Sequence, residues 1–345
     1  MPIAFADHWH KQYRMDAASG LRIAGHPAIR LAFMSTTASP AAAPASPADR
    51  PFDATDYGLY GLTVLAWSLS WYAIALQVGT VSNEVNMVWR FSIATILMFA
   101  WVAFSGRRFR FPLADHLRFA GLGVLLFSTN FLFFYYGALF LVSGLLSVVF
   151  SLASVINMLL ATVITRQRPS PRILAGGVLG FAGIALLFWP EIARQDVSNA
   201  ALVGLALCFA GTLCFCFGNL VSASAQKKGL PLVSMNAWGM LYGTLWAGFL
   251  ALVLGRDFII EPTLSYLGSL VFLAVISTVL AFAAYLTLLG RIGAARAGYA
   301  TVIFPVFALL QSTFLEGYQW TGFALAGLVL VAAGNVLVIR GARPK

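Results

Sequence analysis

Ten apolar runs of about 20 residues follow one another from Gly58 to Arg340 and leave this chain little choice of architecture. They cover roughly 58–79, 85–104, 118–138, 142–165, 173–189, 200–223, 233–254, 266–289, 295–315 and 322–340. Each is long enough to cross about 30 Å of hydrocarbon as a helix. In that medium backbone polar groups must be satisfied within the segment, which a helix does by itself. A β-barrel would instead show alternating segments of about ten residues. Charged residues make up 10% of the chain and apolar ones 60%, whereas a soluble domain is about a quarter charged. The expected fold is an all-α integral membrane protein of ten transmembrane helices, with the lipid bilayer as its main partner.

Residues 1–57 differ in character. The stretch MSTTASPAAAPASPADRPFDATD is rich in Ala, Pro, Ser and Asp, which predicts a disordered tail. Residues 1–33 lack the apolar core of a signal peptide, and Met34 offers an alternative start. Residues 341–345 form a short basic tail.

The runs are not independent of one another. The passage from Ser151, SLASVINMLLATVITRQRPSPRILAGGVLGFAGIALL, lies beside VIFPVFALLQSTFLEGYQWTGFALAGLVLVAAGNVLV at a constant shift of 151. Ser154 then falls on Pro305, Gly176 on Gly327 and Gly183 on Gly334. A second register, shifted by 149, pairs Ser128 and Thr129 with Ser277 and Thr278, and Tyr136 with Tyr285. A period this long indicates a duplicated half, giving units at 58–189 and 200–340 of five spans each.

Loop charges orient the halves. The loops after spans two, four, six and eight, together with the C-terminal tail, carry fourteen basic residues against one acid, Asp115. The alternate loops hold Glu84, Glu191, Asp196, Asp257, Glu261 and Glu316, with only Arg194 and Arg256 opposing them. Lys and Arg are retained on the cytoplasmic side, so both termini are predicted there. The net charge of +10 reflects this bias and a basic leader, and nucleic-acid binding is not needed to explain it. Five is odd, so the second half begins on the opposite face and the repeats are inverted, as in many secondary transporters.

The passage RIGAARAGYATVIFPVFALLQSTFLEGYQWTGFALAGLVLVAAGNVL, with WRFSIATI from Trp89, the Tyr135–Tyr136 pair and GGVLGFAGIALL, resembles the EamA-like branch of the drug/metabolite transporter superfamily. The resemblance covers about residues 58–340. It departs at Ser154, where the family has proline, and at Thr165 or Gln167, where it has glutamate. It implies a ten-helix carrier of small metabolites, often an exporter, and does not name a substrate.

Polar residues within the spans are the candidates for the site. Arg90 is the one charged residue well inside a span, and intramembrane ionisable groups are functional candidates by default. Either it contacts substrate, or it snorkels or ties helices together. Tyr136 and Tyr285 occupy matching places in the two halves and are expected to converge on the pseudo-symmetry axis as pocket residues rather than as an interfacial aromatic belt. Trp71, Asn130, Asn157 and Asn219 complete the set of candidate substrate-binding residues. Ser143, Ser147 and Ser151 form a narrow stripe read as helix packing. Pro305 breaks the backbone ladder in span nine and is the candidate hinge. Ser154, in the equivalent place, should leave span four straighter. The glycines at 176, 180, 183, 327 and 334 read as packing grooves, and matching grooves on two terminal helices are suited to a homodimer, the alternative being a monomer. Glu316 reads as an interfacial cap.

No His, Asp or Cys constellation marks an enzyme. Cys208, Cys214 and Cys216 share one span and suggest neither disulfide nor metal, and no cofactor is implied. With no Asp, Glu or His at mid-membrane, stoichiometric proton antiport is disfavoured. The reading is an inner-membrane carrier of a small amphipathic metabolite, amino acids leading, that works by alternating access. A drug exporter of the same superfamily is the alternative, and a non-transporting scaffold a more distant one.

Overall fold

The computed structural model describes residues 51–164, 166, 168–190, 200–292, 297 and 299–341. The tail up to residue 50 lies outside the described residues. So do Thr165, Gln167, Glu191, Arg194, Asp196, Arg296, Arg343 and Lys345. Among the described residues all regular structure is helical.

Helix α1 (Ala54–Ala75) starts inside the predicted tail. Asp53 caps it: its carboxylate accepts from Asp56 N–H at 2.9 Å, and Asp56 accepts in return from Asp53 N–H at 3.1 Å. The Asp-Ala-Thr-Asp spacing is the sequence signal for this start. There follow α2 (Asn83–Phe104), α3 (Leu113–Gly137), α4 (Ser143–Ile164) and α5 (Pro171–Leu187). The second half repeats the series as α6 (Ala200–Lys227), α7 (Leu232–Val253), α8 (Leu264–Leu288, with helix continuing to Ile292), α9 (Ala300–Leu315) and α10 (Gly322–Gly341).

Seven of these, α1 to α4, α6, α8 and α10, are long and apolar enough to cross a membrane. The other three predicted spans are marginal for different reasons. Helices α5 and α9 are apolar but only 17 and 16 residues long, at the short limit for about 30 Å. Helix α7 has 22 residues, but Asn236, Trp238, Tyr242 and Thr244 dilute its apolar character.

The two-fold relation between the halves is written in the α5–α10 contact. A methyl on Gly176 would sit 2.6 Å from the Gly334 carbonyl oxygen, and one on Gly183 2.7 Å from that of Gly327. Gly176 is the repeat equivalent of Gly327, and Gly183 that of Gly334. Each glycine therefore meets the equivalent of the other, the pattern of a self-complementary, antiparallel contact. The same exchange relates α3, packed on α6 and α7, to α8, packed on α1 and α2, while α2 meets α7 and α4 meets α9. These glycine faces pack against each other within one chain, the use as packing grooves that their spacing suggested.

Both halves also carry a π-helical segment at matching places, Leu125–Thr129 in α3 and Phe272–Leu280 in α8. Such segments shift the backbone ladder and occur often at functional sites.

Helices α4 and α9 differ in the continuity of the backbone ladder, and the break falls in α4. Helix α9 runs unbroken through Pro305, whereas α4 is interrupted at Leu152, between Ser143–Ser151 and Ala153–Ile164. The serines account for it. Ser147, Ser151 and Ser154 each donate to the carbonyl three residues back, at 2.6, 2.6 and 3.2 Å, and such back-bonding competes with the helical ladder.

Candidate functional site

Arg90 lies two turns into α2, where that helix meets α3 and the π segment of α8. Its side chain is 2% exposed. The Nη2 group donates to Thr278 Oγ1 at 3.2 Å, and Thr278 itself donates to Leu273 O at 2.7 Å. The guanidinium carbon stands 4.4 Å from the Phe131 ring centroid and 5.2 Å from that of Phe91. These ring faces attract the cation and hold its plane. Among the described residues its Nε and Nη1 groups meet no hydrogen-bond partner of good geometry, the Tyr135 oxygen being the polar atom beside them.

Beside it is a second group that the sequence reading placed in no role. Gln77 follows the C-terminus of α1 and is 2% exposed. The fully buried Tyr135 donates to its Oε1, and the Tyr135 oxygen lies beside the Arg90 guanidinium. Gln77 Nε2 has no partner. The turn that carries Gln77 is fixed by Asn86, whose amide donates to Gln77 O at 2.9 Å and Val81 O at 3.2 Å while accepting from Tyr266 at 2.7 Å.

Further toward the centre, Trp71 is buried among Phe134, Phe150 and Phe304, with centroids at 5.0, 5.3 and 6.5 Å. Phe150 continues the cluster to Phe215 at 4.7 Å. Helices α1, α3, α4, α6 and α9 thus meet in one aromatic plug. Next to Pro305, Ser68 donates to Phe304 O at 3.1 Å and pins α1 to α9.

The two ends of the bundle differ, and the end bearing the acidic loops is closely tied. Tyr136 donates to the buried Glu84, which pairs with Arg256 Nε at 3.4 Å. Glu316, at the end of α9, caps the start of α4. Its carboxylate accepts from Ser143 N–H at 3.1 Å and from the Ser143 and Ser312 hydroxyls at 2.5 Å. Gly144 permits this approach: a methyl there would sit 2.7 Å from Leu309 Cα. Toward the basic end, α9 keeps to the first segment of α4, while the second packs on α5, α6 and α10. Ser154 on that second segment donates to Asn335 of α10. Also at the basic end, Arg291 clamps the start of α1 through Asp56 at 2.6 Å and Asp53 at 2.8 Å.

The predicted site residues are therefore dispersed. Tyr136 and Tyr285 do not converge. Tyr136 is at the acidic end with Glu84, whereas Tyr285 packs at a tilt against Trp67, centroids 5.1 Å apart, beside the Leu288 and Ile292 cluster. The reason is geometric: an inverted repeat carries a position near one end onto the opposite end, and only midplane positions can meet. Asn130 is buried against α6, its carbonyl 2.8 Å from where a Gly211 methyl would lie, and its side-chain Oδ1 has no partner. Asn157, half-buried on the second segment of α4, also has an unpartnered Oδ1. Asn219 is half-buried on α6, one residue beyond Gly218, which packs on Leu126. Sequence reading missed Gln77, for which QVGT at the end of the first run was the available signal. It also missed the Glu84–Arg256 pair, whose members lie 172 positions apart with no common motif.

The model of the EamA-like transporter family matches this chain twice, over residues 58–189 and 202–340. An uncharacterized transporter of Archaeoglobus fulgidus is 28% identical over 283 residues, 81% of this chain and 96% of the relative. A probable amino-acid metabolite efflux pump of Salmonella typhimurium is 28% identical over 193 residues, 54% of this chain and 64% of the relative. A solved crystal structure superposes with a TM-score of 0.59 at 17% identity, covering 83% of this chain and 96% of the other, a likeness of fold alone.

Proposed function

Because the chain belongs to the EamA-like transporter family, we propose that it exports a small amphipathic metabolite, an amino acid or related compound, by alternating access. The basic end faces the cytoplasm of a bacterial cell, all ten helices cross the inner membrane, and the inverted halves rock about the aromatic plug. The observation that carries this reading is the unequal treatment of α4 and α9. They are joined at the acidic end by Glu316, Ser143 and Ser312, and part beyond Leu152. An inverted repeat makes the opposite arrangement, joined at the basic end, a state of similar energy. Trp71, Asn130, Asn157, Asn219, Tyr136 and Tyr285 are the proposed contacts along the path, with Arg90 at its acidic side and Pro305 as the hinge. Amino acids are favoured as cargo by the mixture of rings, amides and one guanidinium, and by the printed name of the Salmonella relative.

The test is flux from proteoliposomes loaded in turn with single labelled amino acids, with and without a pH gradient. At least one should leave saturably, about tenfold faster than from empty liposomes, and without requiring the gradient. A panel without such flux, alongside transport of lipophilic amines, would replace this reading with the drug exporter.

A further inference from the structure

The hydrogen-bond inventory around Arg90 has a sign. Every unpartnered buried group in the immediate cluster of Gln77, Arg90 and Tyr135 is a donor: Arg90 Nε, Arg90 Nη1 and Gln77 Nε2. The neutral acceptors there are one hydroxyl oxygen, that of Tyr135 beside the guanidinium, and three that are already engaged. Gln77 Oε1 takes the Tyr135 hydroxyl, the Gln77 carbonyl takes Asn86, and Thr278 takes Arg90 Nη2. Among the described residues no carboxylate pairs with Arg90; Glu84, on the same helix, is engaged by Tyr136 and Arg256. A charged group without a counter-charge costs several kcal/mol in a low-dielectric interior. The rings of Phe91 and Phe131 offset part of this through their faces, but they accept nothing in the guanidinium plane.

We propose that Arg90 and Gln77 form a binding site for one carboxylate group, that of the transported molecule. This deepens the transporter reading and rests on it: cargo must carry a single exposed carboxylate, and its amide or its decarboxylated amine is refused. Arg90 supplies the charge, and Gln77 adds a neutral donor whose orientation Tyr135 sets by occupying Oε1. The one guanidinium neutralises a monoanion and leaves a second negative charge unpaired, so dianions are also refused. A buried polar site rejects an analogue that lacks the matching group more strongly than an apolar pocket does.

The experiment uses the full-length protein in detergent and follows its unfolding temperature. Sodium acetate is titrated in place of sodium sulfate at constant ionic strength, with parallel titrations of acetamide, the neutral isostere, and of sodium chloride. Acetate should raise the unfolding temperature saturably, with acetamide and chloride giving no comparable rise. Gln77→Met should weaken the acetate response roughly tenfold through the lost donor. Gln77→Glu places a carboxylate against Arg90 and should abolish the response while leaving the protein folded and itself more heat-stable. Equal responses to acetate and acetamide, or a full acetate response in Gln77→Glu, would overturn the site. A chloride response matching that of acetate would assign it to a halide ion and overturn the carboxylate. Because this readout needs no flux, an intact acetate response with a silent amino-acid panel would remove the amino-acid reading and leave the carboxylate site standing.

Discussion

At Arg90 and Gln77 the chain buries donors that the described residues leave unpaired, and the buried Tyr135 orients the Gln77 amide among them. Tyr135→Phe would keep the ring and its packing but leave Gln77 Oε1 buried without a donor. The expected cost is about 1–3 kcal/mol, read as a fall of several degrees in unfolding temperature. Ser105→Ala removes only back-bonds to Trp101 O and Val102 O at the end of α2 and should change stability by less than about 0.5 kcal/mol. Equal melting of the two variants would mean that Tyr135 does not set the Gln77 amide. At this scale the sequence was half legible. Arg90 stood out because a charge in an apolar run is conspicuous on its own. Gln77 did not, since a glutamine at the edge of a run looks like any loop residue until its neighbours are known.

Among the elements, the α5–α10 pair gives the most direct test, since its closeness depends on glycine and on nothing else nearby. Gly183→Leu would drive a side chain into the Gly327 carbonyl, 2.7 Å from the first added carbon. Overpacking of this kind costs about 1–3 kcal/mol or more, so this variant should melt clearly lower and elute less uniformly in detergent. A methyl on the exposed Gly268 of α8 meets nothing within 4 Å, so Gly268→Leu should behave as the parent. Comparable melting of both would deny that the helices touch through glycine. The repeat was legible in these glycines at sequence level, but their use was not. A groove pattern is the same whether the partner helix belongs to this chain or to a second copy, and only the fold shows Gly176 against Gly334. Likewise the interruption of α4 follows from serine side chains competing for carbonyls, an effect that residue counting assigned to packing and that a proline in α9 does not reproduce.

For the molecule as a whole, the functional question is whether the joint between α4 and α9 at the acidic end opens and closes. Ser143 and Ser312 hydroxyls are 3.0 Å apart across that joint, close enough for cysteines there to bridge. In a background with Cys208, Cys214 and Cys216 changed to alanine, oxidised Ser143→Cys/Ser312→Cys should lose at least about nine-tenths of its flux and recover it on reduction, provided that alternating access needs this end to part. Full flux through the oxidised protein would exclude the proposed motion.

Apolar run length, loop charge and the glycine-marked duplication are local or periodic properties, and they accumulate along the chain without reference to what folds against what. They determined an all-helical membrane protein built from two related halves. The site belongs to a different order of information. Arg90 meets Thr278 across 188 positions, Tyr135 meets Gln77 across 58, and Glu316 reaches back to Ser143 across 173. Whether a polar group is paired or left open is a property of its whole neighbourhood, so only the tertiary structure decided that Tyr136 and Tyr285 stand apart and that the open donors gather at Arg90.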